Sequence, residues 1–104
     1  MRLTKMWSLV IRIKKNDTVN GKRVHSIILD ILKKGSISGA TMWTGVGGYG
    51  KRGDSATHVE GISINMPLVI EVIDKLEKLE KVLPKIKKLV GDNGLITIHE
   101  VGIV

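Results

Sequence analysis

The sequence predicts an α+β fold made of four strands and two helices in the order βαββαβ. Strand-like runs rich in β-branched residues occupy residues 6–13, 68–73 and 95–101, and a shorter apolar run follows Gly39. Two stretches in which apolar residues recur at helical spacing lie between these runs. This order is typical of the ferredoxin-like arrangement, a four-stranded antiparallel sheet with both helices on one face. We expect the 104 residues to form a single domain of this kind.

The first helix follows the first strand after a short charged turn at residues 14–17. It is predicted to end on Lys33 and Lys34, before Gly35, because basic residues followed by glycine are a typical stop signal. The apolar residues of this helix have the i, i+3, i+4, i+7, i+8 spacing of a single stripe. They are Val24, Ile27, Ile28, Ile31 and Leu32.

The second half of the chain contains the third strand, the second helix and the last strand. Pro67 lies at the start of the third strand, where its missing backbone N–H costs the sheet the fewest hydrogen bonds. Asp74 and Glu77 have the spacing of a capping box for the second helix. Pro84 is expected to kink this helix or to split it into two pieces. The apolar stripe of the helix consists of Leu76, Leu79, Leu83, Ile86 and Val90.

Apolar residues are expected on both faces of the sheet. In a strand that is covered on one side only, apolar and polar residues alternate, whereas residues 9–11, 68–70 and 95–96 are apolar without a break. Two helices cover only one face. Because no further segment remains to cover the other face, we expect another copy of the chain to do so, in a closed homo-oligomer with a trimer preferred.

The chain carries a formal net charge of +7 and contains no cysteine. The missing thiols exclude disulfides, thiolate metal sites and cysteine nucleophiles. Much of the positive charge lies on the second helix, where lysines alternate with Glu77 and Glu80, and its simplest interpretation is a solvated helix face. No run is long and apolar enough to span a bilayer, so we expect a cytoplasmic protein without membrane insertion. Abundant Lys, Glu, Ile and Val, with no Gln or Phe, hint at a heat-adapted source.

The candidate site lies in residues 39–60, where a cluster of glycines precedes a long polar stretch. The glycines are Gly45, Gly47, Gly48 and Gly50. Such a cluster forms either a tight bend or a place where backbone N–H groups converge on an anion, and both interpretations stay open. The G-x-G-x-x-G spacing matches a dinucleotide-binding fingerprint, but no helical pattern follows it, so a Rossmann site is rejected. Lys51 and Arg52 stand directly after the glycines and would complete a phosphate cradle.

No catalytic site and no metal site are predicted. The three histidines, His25, His58 and His99, lack the spacing of metal ligands on one helix or strand, and no carboxylate cluster accompanies them. Asp54 and Ser55 lie close to His58 in the sequence, but nothing there rigidifies the segment, and catalysis needs fixed geometry. We therefore expect no enzyme activity and no obligatory cofactor.

A basic ferredoxin-like chain also fits an RNA-recognition module, which stacks bases on aromatic residues of its sheet. The chain offers only Trp7, Trp43 and Tyr49 for stacking, and its third strand has no aromatic residue. A nucleic-acid-binding module is therefore the second interpretation, which a steep salt dependence of affinity would reveal. A third, a small trimer similar to metal-tolerance proteins, is disfavoured by the missing cysteines and scattered histidines.

Several segments together resemble one known family. They are GATMWTGVGGYG, the basic stretch that contains His58, ISINMPLVIEVID, the helix that contains Leu83 and Pro84, and GLITIHEVGIV. In this combination the chain, from Leu9 onward, resembles a family of small uncharacterised PII-like proteins of bacteria and archaea. The most specific part of the resemblance is the GxxGYG segment at residues 45–50 combined with the run at residues 67–74.

That family is similar in fold to the nitrogen-regulatory PII proteins, which are trimers that bind adenine nucleotides in the clefts between subunits. The resemblance implies that residues 39–47 lead to the base of the T-loop, and that residues 51–60 are this partner-contacting loop. Residues 91–94, which alone indicate a helix C-cap followed by a turn, would be the phosphate-binding B-loop. Leu95 stands where PII proteins have a lysine, so a nucleotide with fewer phosphates, such as AMP, is favoured over ATP.

The leading interpretation is therefore a homotrimeric, non-enzymatic signalling protein that binds an adenine nucleotide and contacts a protein target through residues 51–60. This loop is expected to be mobile without a partner, because its residues favour turns and almost none is apolar. Its order would change with the bound ligand. The predicted nucleotide-binding residues are Thr44, Gly45, Gly47, Gly48, Tyr49, Lys51, Arg52, Gly91, Asn93 and Gly94.

Overall fold

The computed structural model describes residues 1–56 and 65–104. The strands are β1 (Thr4–Lys14), β2 (Thr18–Val19), β3 (Lys22–Arg23), β4 (Thr41–Thr44), β5 (Gly47–Gly50), β6 (Gly53–Ala56), β7 (Pro67–Asp74) and β8 (Leu95–Ile103). The helices are α1 (Val24–Lys34) and α2 (Leu76–Val90), and a 3₁₀ turn spans Gly91–Asn93. The main sheet has the order β4-β7-β1-β8 with antiparallel neighbours, which confirms the ferredoxin-like fold class.

The hydrophobic core lies between one face of the main sheet and the two helices. Leu9 and Ile11 of the central strand β1 are fully buried there, opposite Val72 and Ile70 of β7. Because alternate residues of a strand share a face, these four residues form one continuous apolar layer. The helices supply the other layer, through Val24, Ile28, Leu32, Leu79, Val82, Ile86 and Val90.

The face of the sheet turned away from the helices is mixed in character. Val10 and Val69 belong to this face, which confirms that apolar residues lie on both sides of the sheet. The same face also carries polar groups, since the hydroxyl of Ser8 donates to a carboxylate oxygen of Glu71 at 3.1 Å and Arg12 is exposed. The unbroken apolar runs therefore overstate how apolar this face is.

The start of α2 differs from the sequence-based prediction. Lys75 is the N-cap residue, and no side chain caps the helix, so the capping box between Asp74 and Glu77 is wrong. The carboxylate of Asp74 instead accepts hydrogen bonds from the backbone N–H of Lys75 at 2.8 Å and from the backbone N–H of Ser38 at 3.0 Å. Burial disfavours its charged form, but these hydrogen bonds and the nearby Lys78 ammonium prevail and hold the pKa of Asp74 below its usual value.

Pro84 lies inside α2, and the helix continues through it from Leu76 to Val90. The predicted split into two pieces is therefore wrong. Pro84 removes the hydrogen bond to the carbonyl of Glu80, an exposed residue, so water can solvate that carbonyl. The buried side chains of Val82 and Ile86, on either side of the proline, hold both halves of the helix against the core.

A small hairpin, β2–β3, precedes α1 and was not predicted. Its turn residues Asn20 and Gly21 both have positive φ, 51° and 79°. This Asn-Gly pair is the strongest short-range signal for a two-residue hairpin, and it was overlooked in the sequence. Neither α1 nor α2, the two helices in the described residues, is long and apolar enough to cross a membrane.

Candidate functional site

The glycine-rich segment forms a β-hairpin. β5 pairs with β6, and the chain reverses at Lys51 and Arg52. The glycines between residues 45 and 50 have no positive φ. The chain bends at Val46, between β4 and β5, and the glycines from Gly47 onward are in a strand. Successive residues of a strand direct their N–H groups to opposite edges, so the amides of Gly47 and Gly48 do not converge on one anion.

The polar stretch at residues 51–60 is only partly a loop. Residues 53–56 are strand β6, which corrects the prediction of one continuous loop. The strand forms because Gly53 adopts a φ of 88° just after the turn, and this conformation lets the chain fold back on β5. Residues 57–60, with His58, lie outside the described residues, and the mobility of the loop stays a prediction.

The hairpin and the turn after α2 line the same cleft, which has a volume of about 480 Å³. The end of β1 contributes Arg12 and Lys14 to its wall. The cleft brings together seven of the predicted site residues, namely Gly47, Gly48, Tyr49, Lys51, Arg52, Asn93 and Gly94. Thr44, Gly45 and Gly91 lie outside its lining: Thr44 pairs with Leu68 in the sheet, and Gly91 caps α2.

The glycines on the two sides of the cleft permit close packing. A Cβ placed at Gly94 would lie 2.5 Å from the carbonyl oxygen of Arg12 and 2.7 Å from Cγ1 of Val90. A Cβ at Gly47 would lie 3.1 Å from the carbonyl oxygen of Ser55. A Cβ at Gly48 would lie 3.4 Å from Cγ of Pro67, which is an ordinary van der Waals contact. Close backbone approach, not left-handed conformation, is therefore the role of Gly47 and Gly94.

Two basic side chains connect the hairpin to the turn across the cleft. The ammonium of Lys51 lies 3.5 Å from the carbonyl oxygen of Asp92, and the guanidinium of Arg52 donates to the carbonyl oxygen of Asn93 at 3.1 Å. Both cations that were predicted to cradle a phosphate thus reach the predicted B-loop within one chain.

Arg52 also forms a two-pronged ion pair with Asp17, which follows β1. The two guanidinium nitrogens donate to the two carboxylate oxygens at 2.8 and 2.9 Å, and only 13% of the Asp17 side chain is exposed. The backbone N–H of Lys14 and the side-chain amide of Asn65 donate to the same carboxylate at 3.2 and 3.1 Å. Burial disfavours the charged carboxylate, but the hydrogen bonds from Arg52, Lys14 and Asn65 outweigh it and lower the pKa of Asp17.

Sequence reasoning missed Arg12, Lys14 and Asp17. The stretch around Lys14 and Asp17 was interpreted only as a charged turn. The predicted order of strands could have identified Arg12, because it places β1 beside β8 in antiparallel register. In that register Arg12 stands opposite Leu95, next to the turn at residues 91–94.

The described residues contain no group of three or more histidine, aspartate or glutamate side chains placed to hold a metal ion. His58 is not among the described residues. The cleft offers basic side chains and one exposed aromatic ring, Tyr49.

Comparisons with known sequences identify the family. The sequence profile of DUF190, described as Uncharacterized ACR, matches residues 6–103. A UPF0166 protein of Methanocaldococcus jannaschii is 39% identical over 92 residues, which cover 88% of this chain and 85% of the relative. A UPF0166 protein of Aquifex aeolicus is 31% identical over 105 residues, which cover 100% of this chain and 98% of the relative.

A comparison with solved structures identifies a PII-like neighbour. The chain is similar to CPII, a nitrogen regulatory PII-like protein from Thiomonas intermedia K12 whose structure was solved bound to ADP, AMP and bicarbonate. The TM-score is 0.78 and the identity 16%, over 98% of this chain and 91% of that one. At this identity the likeness concerns the fold. Together with the match to residues 6–103, it confirms the resemblance drawn from the sequence: the chain belongs to the DUF190 family, whose structural neighbours are PII-like proteins.

Proposed function

We propose that this chain is a PII-like signalling protein, without enzyme activity, that binds an adenine nucleotide in the cleft between the β5–β6 hairpin and residues 91–94. One observation carries the proposal. Two glycine-bearing segments, far apart in the sequence, line one cleft together with basic side chains. The fold supports it, because CPII, with the same fold, was solved with ADP and AMP.

The side chains of the cleft suit the parts of a nucleotide. Tyr49 is 89% exposed and lines the cleft, so its ring is available to stack on a base. Lys14 and Lys51 lie on the same lining and supply positive charge for a phosphate. We infer that Gly48 leaves room for the ligand beside Pro67.

The number of available cations favours AMP over ATP. Arg52 is held by Asp17, so a phosphate has to compete with a carboxylate for its guanidinium. Leu95, which is exposed at the edge of the cleft, supplies no charge where PII proteins have a lysine. A single phosphate needs fewer cations than a triphosphate, so the small number of available cations in the cleft suits AMP better than ATP.

The proposed assembly is a cytoplasmic homotrimer in which a neighbouring subunit completes each cleft. Trp43 and Leu95 lie on the sheet face turned away from the helices and are 46% and 58% exposed. Burial of such residues against a second copy would supply a hydrophobic driving force. The proposed protein target contacts residues 51–60. Light scattering that gives a monomer at micromolar concentration would contradict this assembly.

Calorimetric titration with AMP and ATP tests the nucleotide site. Gly48→Val places a branched side chain next to Pro67 on the cleft wall, and valine suits a strand. We expect this variant to lose AMP binding and to keep its melting transition and oligomer mass. Lys78→Ala is the control, since Lys78 contacts the carbonyl of Ser36 and Asp74, outside the cleft.

Unchanged affinity in a folded Gly48→Val protein would place the ligand elsewhere. A larger loss in Lys78→Ala, with a steep salt dependence, would favour the nucleic-acid-binding module instead.

A further inference from the structure

A second concave surface, here called the helix groove, lies between α1 and α2 and has a volume of about 650 Å³. Its floor is apolar: Val82 is buried, and Ile27, Ile31 and Leu89 are half-buried. The β2–β3 hairpin closes one end through Val19, which is 38% exposed. The groove is separate from the nucleotide cleft, since the residues that line the two surfaces do not overlap.

The border of the groove is strongly basic. Four exposed lysines surround the apolar floor, namely Lys22, Lys34, Lys81 and Lys85. Asp30 is the only acidic residue among the described residues that line the groove, so its border carries a net charge of +3.

The four groove lysines form no salt bridge within the described part of the chain. The salt bridges there involve Lys5, Arg52 and Lys78. Lys81 and Lys85 are one helical turn apart, so their ammonium groups repel each other. A ligand that carries negative charge would relieve this repulsion.

The shape and chemistry of the groove select among anionic ligands. A free phosphate would leave the apolar floor uncovered. The three aromatic residues of the chain all lie elsewhere, so the groove has no platform for the bases of a single-stranded nucleic acid. Between Val82 and Leu89 the α2 wall is about 10 Å long, which is about two helical turns.

From this charge complementarity we propose that the helix groove is a docking surface for an acidic amphipathic helix of a partner protein. Apolar residues of such a helix, at i, i+3, i+4 and i+7, fit the floor of the groove. Carboxylates that flank this stripe meet the lysines at the border. The proposal does not depend on nucleotide binding, because it uses different residues.

Fluorescence anisotropy with a designed peptide tests the proposal on the full chain. The probe is a labelled amphipathic helix of about four turns, with leucine on one face and glutamate on the others. We expect the double variant Lys81→Glu/Lys85→Glu to bind it about 100-fold more weakly than the unmodified protein.

Two controls separate docking from general attraction. Lys75→Glu/Lys88→Glu makes the same change in net charge at two exposed residues outside the groove, the N-cap of α2 and a residue of its last turn. Its affinity should fall less than about threefold. A second peptide, in which serine replaces leucine and all glutamates remain, should not bind. Circular dichroism checks that each variant is folded.

Several results would overturn the proposal. An equal loss in both double variants, or equal binding of the two peptides, would mean diffuse electrostatic attraction. Absence of binding to the leucine peptide would leave the groove without the proposed function. Tighter binding of an oligothymidylate that is lost in Lys81→Glu/Lys85→Glu would assign the groove to nucleic acid. Self-association that the same variant abolishes would assign it to a second copy of the chain.

Discussion

The nucleotide cleft and the helix groove are each lined by four basic side chains, but the two sets differ in how the chain uses their charge. In the cleft, Arg12 contacts Thr97, Lys51 contacts a backbone carbonyl, and Arg52 pairs with Asp17. Within the described residues, the four lysines of the groove have neither a salt bridge nor a side-chain hydrogen bond. Three of the four basic side chains of the cleft thus have a partner within the chain, whereas the described residues offer none to the lysines of the groove.

This difference has consequences for stability and for binding. A paired, partly buried cation holds its segment in place, and its loss costs stability. An exposed lysine contributes little to stability, but it keeps its full charge for a partner. Substitution of the paired groups of the cleft should therefore affect folding as well as binding, whereas substitution of the groove lysines should affect mainly binding. The predictions below test this contrast, in order of expected effect.

The largest effect is expected for Gly94→Ala, at the back of the cleft. The added Cβ would lie 2.5 Å from the backbone oxygen of Arg12, which is too close without a backbone shift. We expect a loss of about 2–3 kcal/mol in the free energy of unfolding, measured by urea titration. Gly50→Ala is the matched control, because a Cβ there has no neighbour within 4 Å, and its change should stay within about 0.5 kcal/mol. Equal effects would show that the cleft wall is not tightly packed.

Asp17→Asn removes the carboxylate that holds Arg52. Asparagine has nearly the same size as aspartate, but it lacks the charged carboxylate whose two oxygens accept hydrogen bonds from the guanidinium of Arg52. We expect the free energy of unfolding at neutral pH to fall by about 1–2 kcal/mol. The freed Arg52 should also raise the affinity for ATP relative to AMP in calorimetric titration. An unchanged ratio would mean that this ion pair does not limit the number of phosphates bound.

Acid should weaken the fold through Asp17 and Asp74, both of which have a lowered pKa. A carboxyl group whose pKa is lower in the folded state contributes its full stabilisation above the unfolded pKa of about 3.9. The contribution is lost as the pH falls through the lower folded pKa. Melting temperatures measured from about pH 6 to about pH 2 should drop less in Asp17→Asn than in the unmodified protein. A parallel drop in both would assign the acid sensitivity to other groups.

The smallest effect is expected in the groove, for Lys85→Gln. This change removes one of two like charges that lie one helical turn apart, and it breaks no salt bridge found in the described residues. We expect the free energy of unfolding to stay the same or to rise by about 0.2–0.5 kcal/mol. A loss of more than about 1 kcal/mol would show that Lys85 has a structural role and would remove the contrast with the cleft.

The sequence by itself determined the fold class and the long helices and strands. The apolar stripe of α1 and its stop signal placed that helix at Val24–Lys34, because helical periodicity and a following glycine are local properties of the chain. The same holds for the long strands β1, β7 and β8, whose β-branched runs are unmistakable. The resemblance to a PII-like family, also drawn from the residues alone, is confirmed by the family match to residues 6–103 together with the fold similarity to CPII.

Only the tertiary structure decided what the polar residues do. Most of the glycine cluster, Gly47–Gly50, forms a strand, because it pairs with β6. The carboxylate of Asp74 accepts hydrogen bonds from the distant Ser38, and no side chain caps α2. The pairing of Arg52 with Asp17 joins residues far apart in the sequence. Such contacts depend on how distant segments pack together, and local propensity carries no information about that packing.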